Sequence, residues 1–236
     1  MVQAHYLTIA ESFMKVHDLS QNDSLFTQYL AEIRDEEIQQ DRMRFRRNLE
    51  RVGEIFAYEI SKTLDFHAQE VTTPLGEAKC NVLKNQPVLA TIMRAGLPLH
   101  QGVLNYFDQA DNAFVSAYRM HDKHGEFEIN VEYLSSPSLE GRTLILCDPM
   151  LATGNSMVLS YQALLQHGTP AHTHVVSVIA STQGLVHVKS NMPENTTIWL
   201  GAIDEELTAE AYIVPGLGDA GDLAFGSKEE SVAEDE

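Results

Sequence analysis

The segment Leu144-Ile-Leu-Cys-Asp148-Pro149-Met150-Leu151-Ala152-Thr153-Gly154-Asn155-Ser156 carries the residue types needed to grip a phosphorylated sugar. A short apolar run ends in a carboxylate, Asp148, and a turn of small polar residues follows. Backbone N–H groups in such a turn have no partner of their own, and a helix start behind them adds the positive end of its dipole. Thr153 and Ser156 contribute hydroxyl donors. Asp148 repels phosphate but accepts from ribose hydroxyls or from a metal-bound water. A sugar 5-phosphate suits both halves of the segment.

Two further patterns suit the same chemistry. Arg94 follows the apolar run Val88–Met93, and Arg119 follows Ala113–Tyr118. Guanidinium groups bind phosphate in bidentate fashion and stabilise charge growing on a leaving group. Two of them beside a phosphate loop point to a second anion such as pyrophosphate. Then Ala211-Tyr-Ile-Val-Pro leads into Gly216-Leu-Gly218-Asp219-Ala220-Gly-Asp222, where closely spaced glycines let backbone groups approach a ligand. Exposed N–H and C=O groups there can read the edge of a flat heterocycle. The aspartates are too few and too irregularly spaced for a calcium loop. His121, His124, His172 and His174 are read as surface or strand-end residues rather than metal ligands.

The elements that must position these groups follow from periodicity. Leu144–Cys147 reads as a buried parallel strand. Val158, Tyr161, Leu164 and Leu165 predict an amphipathic helix up to Gly168. Further strands are expected at Val88–Met93, Ala113–Tyr118, Thr173–Ala180 and Thr197–Ile203. Helices are expected over Ser24–Arg34, over Asp41–Leu64, after Pro98 to Tyr106, and from Thr182. Thr72-Thr-Pro-Leu-Gly76 marks a turn between short strands. Residues 120–142 predict a hairpin that could serve as a lid. Strands alternating with helices imply an α/β fold, a doubly wound parallel sheet whose carboxyl edge carries the ligand. Arg42, Arg44, Arg46, Arg47 and Arg51 on the long helix read as a solvated or subunit-facing side, with an effector-phosphate site as the sharper alternative.

The chain has 236 residues and 44% hydrophobic content, which suits one sizeable α/β domain. The expected division is an N-terminal arm over 1–22, a domain over 23–226 and an acidic flexible tail over 227–236. The formal net charge of −18 argues against nucleic acid and anionic membranes as partners. Cys80 and Cys147 give no disulfide framework or metal spacing, no apolar run approaches spanning length, and the start lacks a signal pattern. A cytoplasmic location is expected.

These motifs together resemble the uracil phosphoribosyltransferases. Asp148–Ser156 resembles that family's phosphoribosyl-pyrophosphate loop, and Ala211–Asp222 with Phe225-Gly226 resembles its uracil loop. Arg94-Ala-Gly96 and Tyr118-Arg119 match its shorter motifs in order. The resemblance implies a type I phosphoribosyltransferase core with flanking helices and a protruding β-hairpin. It implies transfer of 5-phosphoribose from phosphoribosyl pyrophosphate to uracil, with Mg²⁺ on substrate oxygens and no direct protein ligand to the metal. By the same resemblance, Arg119, Asp148 and Asp219 are catalytic. Phosphoribosyl pyrophosphate meets Arg94, Arg119, Asp148, Pro149, Met150, Leu151, Ala152, Thr153, Gly154, Asn155, Ser156 and Asp219. Uracil meets Ile213, Gly218, Asp219 and Ala220. A homodimer or higher homo-oligomer is implied. The chain departs from the family pattern at Asn155, usually glycine, at Leu223, usually basic, and at Ser227, usually threonine. A nucleotide-sensing regulatory protein and a catalytically weak paralogue using the same pocket are the competing readings.

Overall fold

Alternate residues of the strand Thr143–Cys147 enter two different cores, and that fixes the architecture. Leu144 and Leu146 pack into one apolar cluster, Ile145 and Cys147 into the other. A strand buried on both faces needs helices on both sides of its sheet. The computed structural model describes residues 14–121 and 127–227.

The elements run β1 (Lys15–Asp18), α1 (Leu25–Arg34), α2 (Arg42–Ser61), β2 (Phe66–Thr73), β3 (Gly76–Leu83), β4 (Val88–Met93), α3 (Leu97–Tyr106), β5 (Asp111–His121) and β6 (Phe127–Ser135). They continue as β7 (Thr143–Cys147), β8 (Met150–Leu151), α4 (Asn155–Leu164), β9 (His172–Ser181), α5 (Thr182–Asn191), β10 (Thr196–Asp204), β11 (Glu206–Leu207), β12 (Ile213–Val214) and α6 (Ala220–Phe225). The main sheet has the order β1-β10-β9-β7-β4-β5-β6, with β8 pairing β9 beyond the end of β7. Its pairings are parallel except the antiparallel β5–β6 edge. The parallel strands therefore end on one edge, where Arg94, Asp148 and Asp204 stand.

One face is covered by α1, α2 and α3, with Phe26, Phe45, Leu49, Phe56 and Leu99 fully buried against β4, β7, β9 and β10. The other is covered by α4 and α5 through Met157, Val158, Tyr161 and Val188. Ser24 caps α1 in a capping box and Asp41 caps α2 by accepting from the Met43 and Arg44 N–H groups. Each cap satisfies amides that the first turn leaves open.

Several sequence expectations need correction. Lys15–Asp18, inside the expected arm, is an edge strand registered on Thr197–Leu200 of β10. Its mixed polarity hid it, because an edge strand buries only part of one face. The hairpin expected over 120–142 is built from β5 and β6, ends at Ser135, and its tip at 122–126 lies outside the described residues. The β2–β3 ribbon is a separate two-stranded sheet in which every residue of β2 is exposed. Leu165 falls after α4 in a short 3₁₀ turn and is 38% exposed, so it does not join the buried stripe. His174 is no surface residue: it is buried in β9, where its Nδ1 accepts from the Trp199 indole N–H at 3.1 Å. His124, most of the expected arm, and the expected tail beyond Ser227 lie outside the described residues.

Candidate active site

Asp148 is the residue that leaves the sheet. Its N–H donates to Val176 O at 3.1 Å, and Pro149 O accepts from both Val178 and Ile179 N–H at 3.1 Å. The backbone on either side of the carboxylate is thus tied to β9. Asp148 keeps some surface open, yet the protein around it displaces most water. That desolvation pushes its carboxyl up to about 7, opposed in part by a backbone hydrogen bond from Met150. A neutral sugar hydroxyl can approach such a group without charge repulsion, whereas a phosphate cannot.

The turn after Asp148 is shaped by one glycine. Gly154 caps α4 at φ 81°, a left-handed angle that a side chain resists. A Cβ there would also stand 2.8 Å from Gly184 O. No side chain caps α4, so the amides of Asn155, Ser156 and Met157 point from the helix start; the Asn155 N–H has a long 3.4 Å contact to Thr153 Oγ1. Ser181 holds the turn from behind: its Oγ donates to Ala152 O at 2.5 Å and accepts from Gly184 N–H at 2.8 Å. Asn155 is exposed while Gly154 is buried, so the asparagine side chain is accommodated outside the close packing.

The glycine loop is fixed by an ion pair that sequence reading missed. Arg34 at the end of α1 grips Asp204 at the end of β10 with two 2.8 Å hydrogen bonds. Gly216 is clamped between them, its O accepting from Arg34 Nη1 at 2.9 Å and its N–H donating to Asp204 Oδ2 at 3.0 Å. Gly216 has φ 60°, and a Cβ there would run into Ile213 O. Oriented with its nitrogen toward the carbonyls, the Gln39 amide donates to Leu217 O at 2.8 Å. The only sequence signal for Asp204 was a fourth polar residue at a strand end.

Past this clamp the loop opens. Ile213, Leu217 and Ala220 are buried in the same apolar cluster that Met150 and Ala152 join from the phosphate side. Gly218 is exposed at φ 91°, and Asp219 caps α6 by accepting from Asp222 N–H at 3.0 Å. Arg94 reaches from β4 to this loop: Nη2 meets Asp222 Oδ1 at 2.9 Å and Nη1 donates to Gly226 O at 3.1 Å. Its Nε is buried without a partner among the described residues.

The expected site residues therefore fall along one sheet edge. Asp222 meets both Arg94 and Asp219, and Ile213 and Ala220 share a core with Met150 and Ala152. Among the described residues, no hydrogen bond joins Thr153–Ser156 to Ile213–Ala220. Arg119 is placed by its backbone alone, in β5 opposite Ile129 and beyond Ser116, which pairs with Met93.

The arginines of α2 mostly serve packing. Arg44 pairs with Glu32 at 2.9 Å, Arg47 with Glu50 at 2.5 Å, and Arg46 donates to Ala224 O at 2.6 Å. No helix of the described residues is long and apolar enough to cross a membrane.

Comparison with known proteins agrees with this geometry. The family model described as uracil phosphoribosyltransferase matches residues 20–227. A Porphyromonas gingivalis protein named uracil phosphoribosyltransferase is 55% identical over 215 residues, covering 91% of this chain and all of that one. A Pyrococcus furiosus protein of the same name is 38% identical over 200 residues, 84% of each chain. The solved structure of the AQ2163 protein from Aquifex aeolicus superposes with a TM-score of 0.79 at 28% identity, over 89% of this chain and 98% of that one. An acidic strand end followed by a small-residue turn, a clamped glycine loop and this likeness along nearly the whole length place the chain in the uracil phosphoribosyltransferase family.

Proposed function

We infer that the protein transfers 5-phosphoribose from phosphoribosyl pyrophosphate to uracil, giving uridine monophosphate and pyrophosphate. The observation that carries this reading is the reach of Arg94 from the phosphate edge to Asp222 and Gly226 of the glycine loop. It supports reading the Arg94 motif and the glycine loop, far apart in the chain, as parts of one site.

In this reading the 5-phosphate sits on the amides of Thr153–Ser156, with Thr153 and Ser156 hydroxyls donating. Pro149, Met150 and Leu151 shape the floor. Asp148 accepts from the ribose hydroxyls. Uracil lies against Ile213 and Ala220, and main-chain groups near Gly218 read its edge. The ring N1 attacks C1 of the ribose as pyrophosphate departs and the N1 proton is released to water, so positive charge grows on the sugar and negative charge on the leaving group. Arg94 and Arg119 stabilise the latter, and the Arg34–Asp204 clamp keeps the base loop in place. Positioning and electrostatics supply the rate without a covalent nucleophile.

The donor set fits Mg²⁺ carried on substrate oxygens. A magnesium ion bound mainly to phosphates needs only one or two carboxylates nearby, and Asp148 and Asp219 are carboxylates of the candidate site. Asp219 and Asp148 would face its waters. When bound, the ion neutralises charge on the pyrophosphate.

A homodimer or larger homo-oligomer and a cytoplasmic setting belong to the same reading. The competing regulatory and weak-paralogue readings are not favoured, because relatives sharing most of the chain's length carry the enzyme's name. The test is labelled uracil with phosphoribosyl pyrophosphate and Mg²⁺. Labelled uridine monophosphate is expected; binding of both substrates without product overturns the enzyme reading.

A further inference from the structure

We propose that Arg42, the first residue of α2, is a further cation, beside Arg94 and Arg119, that grips the pyrophosphate end of the phosphoribosyl donor. This rests on the reading of the site given above. A cavity of about 280 Å³ is lined by Arg42 together with Asp219, Asp222, Leu223 and Ser227. Arg42 lies against Gly226: a Cβ built there would stand 3.5 Å from both of its terminal nitrogens. The carbonyl of the same Gly226 accepts from Arg94. The two guanidinium groups therefore flank a single residue, Gly226.

Charge shows why a further cation is needed. Pyrophosphate is highly anionic, and this wall of the cavity already holds two carboxylates, Asp219 and Asp222. Arg94 is committed to Asp222 at 2.9 Å. The segment Ala220–Phe225 offers no basic residue, and Leu223 turns apolar surface to the cluster beneath it. Arg34, Arg44, Arg46, Arg47 and Arg51 all have polar partners within the fold. Arg42 is exposed and, among the described residues, makes no ion pair. A cation in the first turn of a helix also works against the helix dipole, so helix stability does not account for it. Gln39, tied to Leu217 O, fixes the segment that leads into α2 and so the direction from which Arg42 enters the cavity.

The experiment is calorimetric titration of the full chain and of Arg42→Gln and Arg42→Lys with phosphoribosyl pyrophosphate, Mg²⁺–pyrophosphate and ribose 5-phosphate. Arg42→Gln is expected to weaken the first two about tenfold, the scale of one charge-assisted contact, and to leave ribose 5-phosphate affinity, the KM for uracil and the melting temperature unmoved. Arg42→Lys is expected to keep most of the affinity. Unchanged pyrophosphate binding in Arg42→Gln, an equal loss of ribose 5-phosphate, or a lysine variant as weak as the glutamine one overturns the proposal. Failure of the unsubstituted chain to bind the donor would instead sink the functional reading itself.

Discussion

Arg94 Nη2 lies 2.9 Å from Asp222 Oδ1, although 128 residues separate them in the chain. The contact joins the end of β4 to the start of α6. Both side chains are more than a third exposed, so the pair is worth little as a surface salt bridge. In the proposed reaction its value would be in aiming a guanidinium where negative charge develops.

Asp148→Asn should separate turnover from stability. Burial keeps the folded carboxyl protonated up to about 7, whereas an unfolded aspartate loses its proton near 4. Between those values the folded state holds the extra proton, so this residue's contribution to stability falls as pH rises through the window. The asparagine variant should lose that slope and melt no lower than the parent at pH 8. Its kcat should drop by about 100-fold or more, and the rise of kcat/KM for the donor with an apparent pKa near 7 should vanish. Thermal melts and pH–rate profiles check both halves.

Arg34→Ala should damage the base end of the site. It leaves Asp204, a 7% exposed residue, without its bidentate partner and frees Gly216 O. Breaking a buried pair by removing one member costs about 3–5 kcal/mol. Chemical denaturation should show a loss of that order. In the surviving folded fraction the KM for uracil should rise more than the KM for the donor.

Gly154→Ala should act at the opposite end. The left-handed angle and the 2.8 Å approach to Gly184 O both penalise a methyl group. The turn must shift, and ribose 5-phosphate affinity should fall about tenfold or more while uracil recognition in the product complex keeps its selectivity over cytosine. Titration with ribose 5-phosphate and a base competition assay test this.

His174 should make the fold acid-sensitive from the side remote from the cleft. Burial, with His172 and His17 adding like charge, depresses its imidazole to about 3. The unfolded side chain takes a proton near 6.5, so stability is complete above that value and is lost as pH falls from about 6.5 toward 3. His174→Gln can still accept from Trp199 but does not titrate. Melting temperature measured from pH 7 to pH 5 should fall less steeply in the variant. Fluorescence of the single tryptophan, which His17 stacks on at 3.9 Å, reports the same transition.

The parts of the site legible in the sequence were those written contiguously. Asp148 through Ser156 and Gly216 through Asp222 each carry their own turn chemistry, so composition alone exposed them. The doubly wound sheet was legible because β4, β7 and β9 each carry a largely apolar stretch between helical patterns. What stayed hidden depends on contacts between distant segments. Arg34 and Asp204 lie 170 residues apart, and each alone is an ordinary charge. Ser181 supports the phosphate turn only because β9 brings it beneath Ala152. The strand Lys15–Asp18 lacks alternation because an edge position asks for little. The short helix Ala220–Phe225 was masked by its glycine and became visible only through the Asp219 cap.

The central claim is that the phosphate turn and the glycine loop are two ends of one pocket. A crystal structure of the protein grown with uridine monophosphate tests it most directly. The account predicts one continuous ligand, its phosphate on the amides of Thr153–Ser156, its ribose hydroxyls on Asp148 and its base against Ile213 and Ala220. A nucleotide whose base points away from Gly216–Ala220 while its phosphate fills the turn would contradict it.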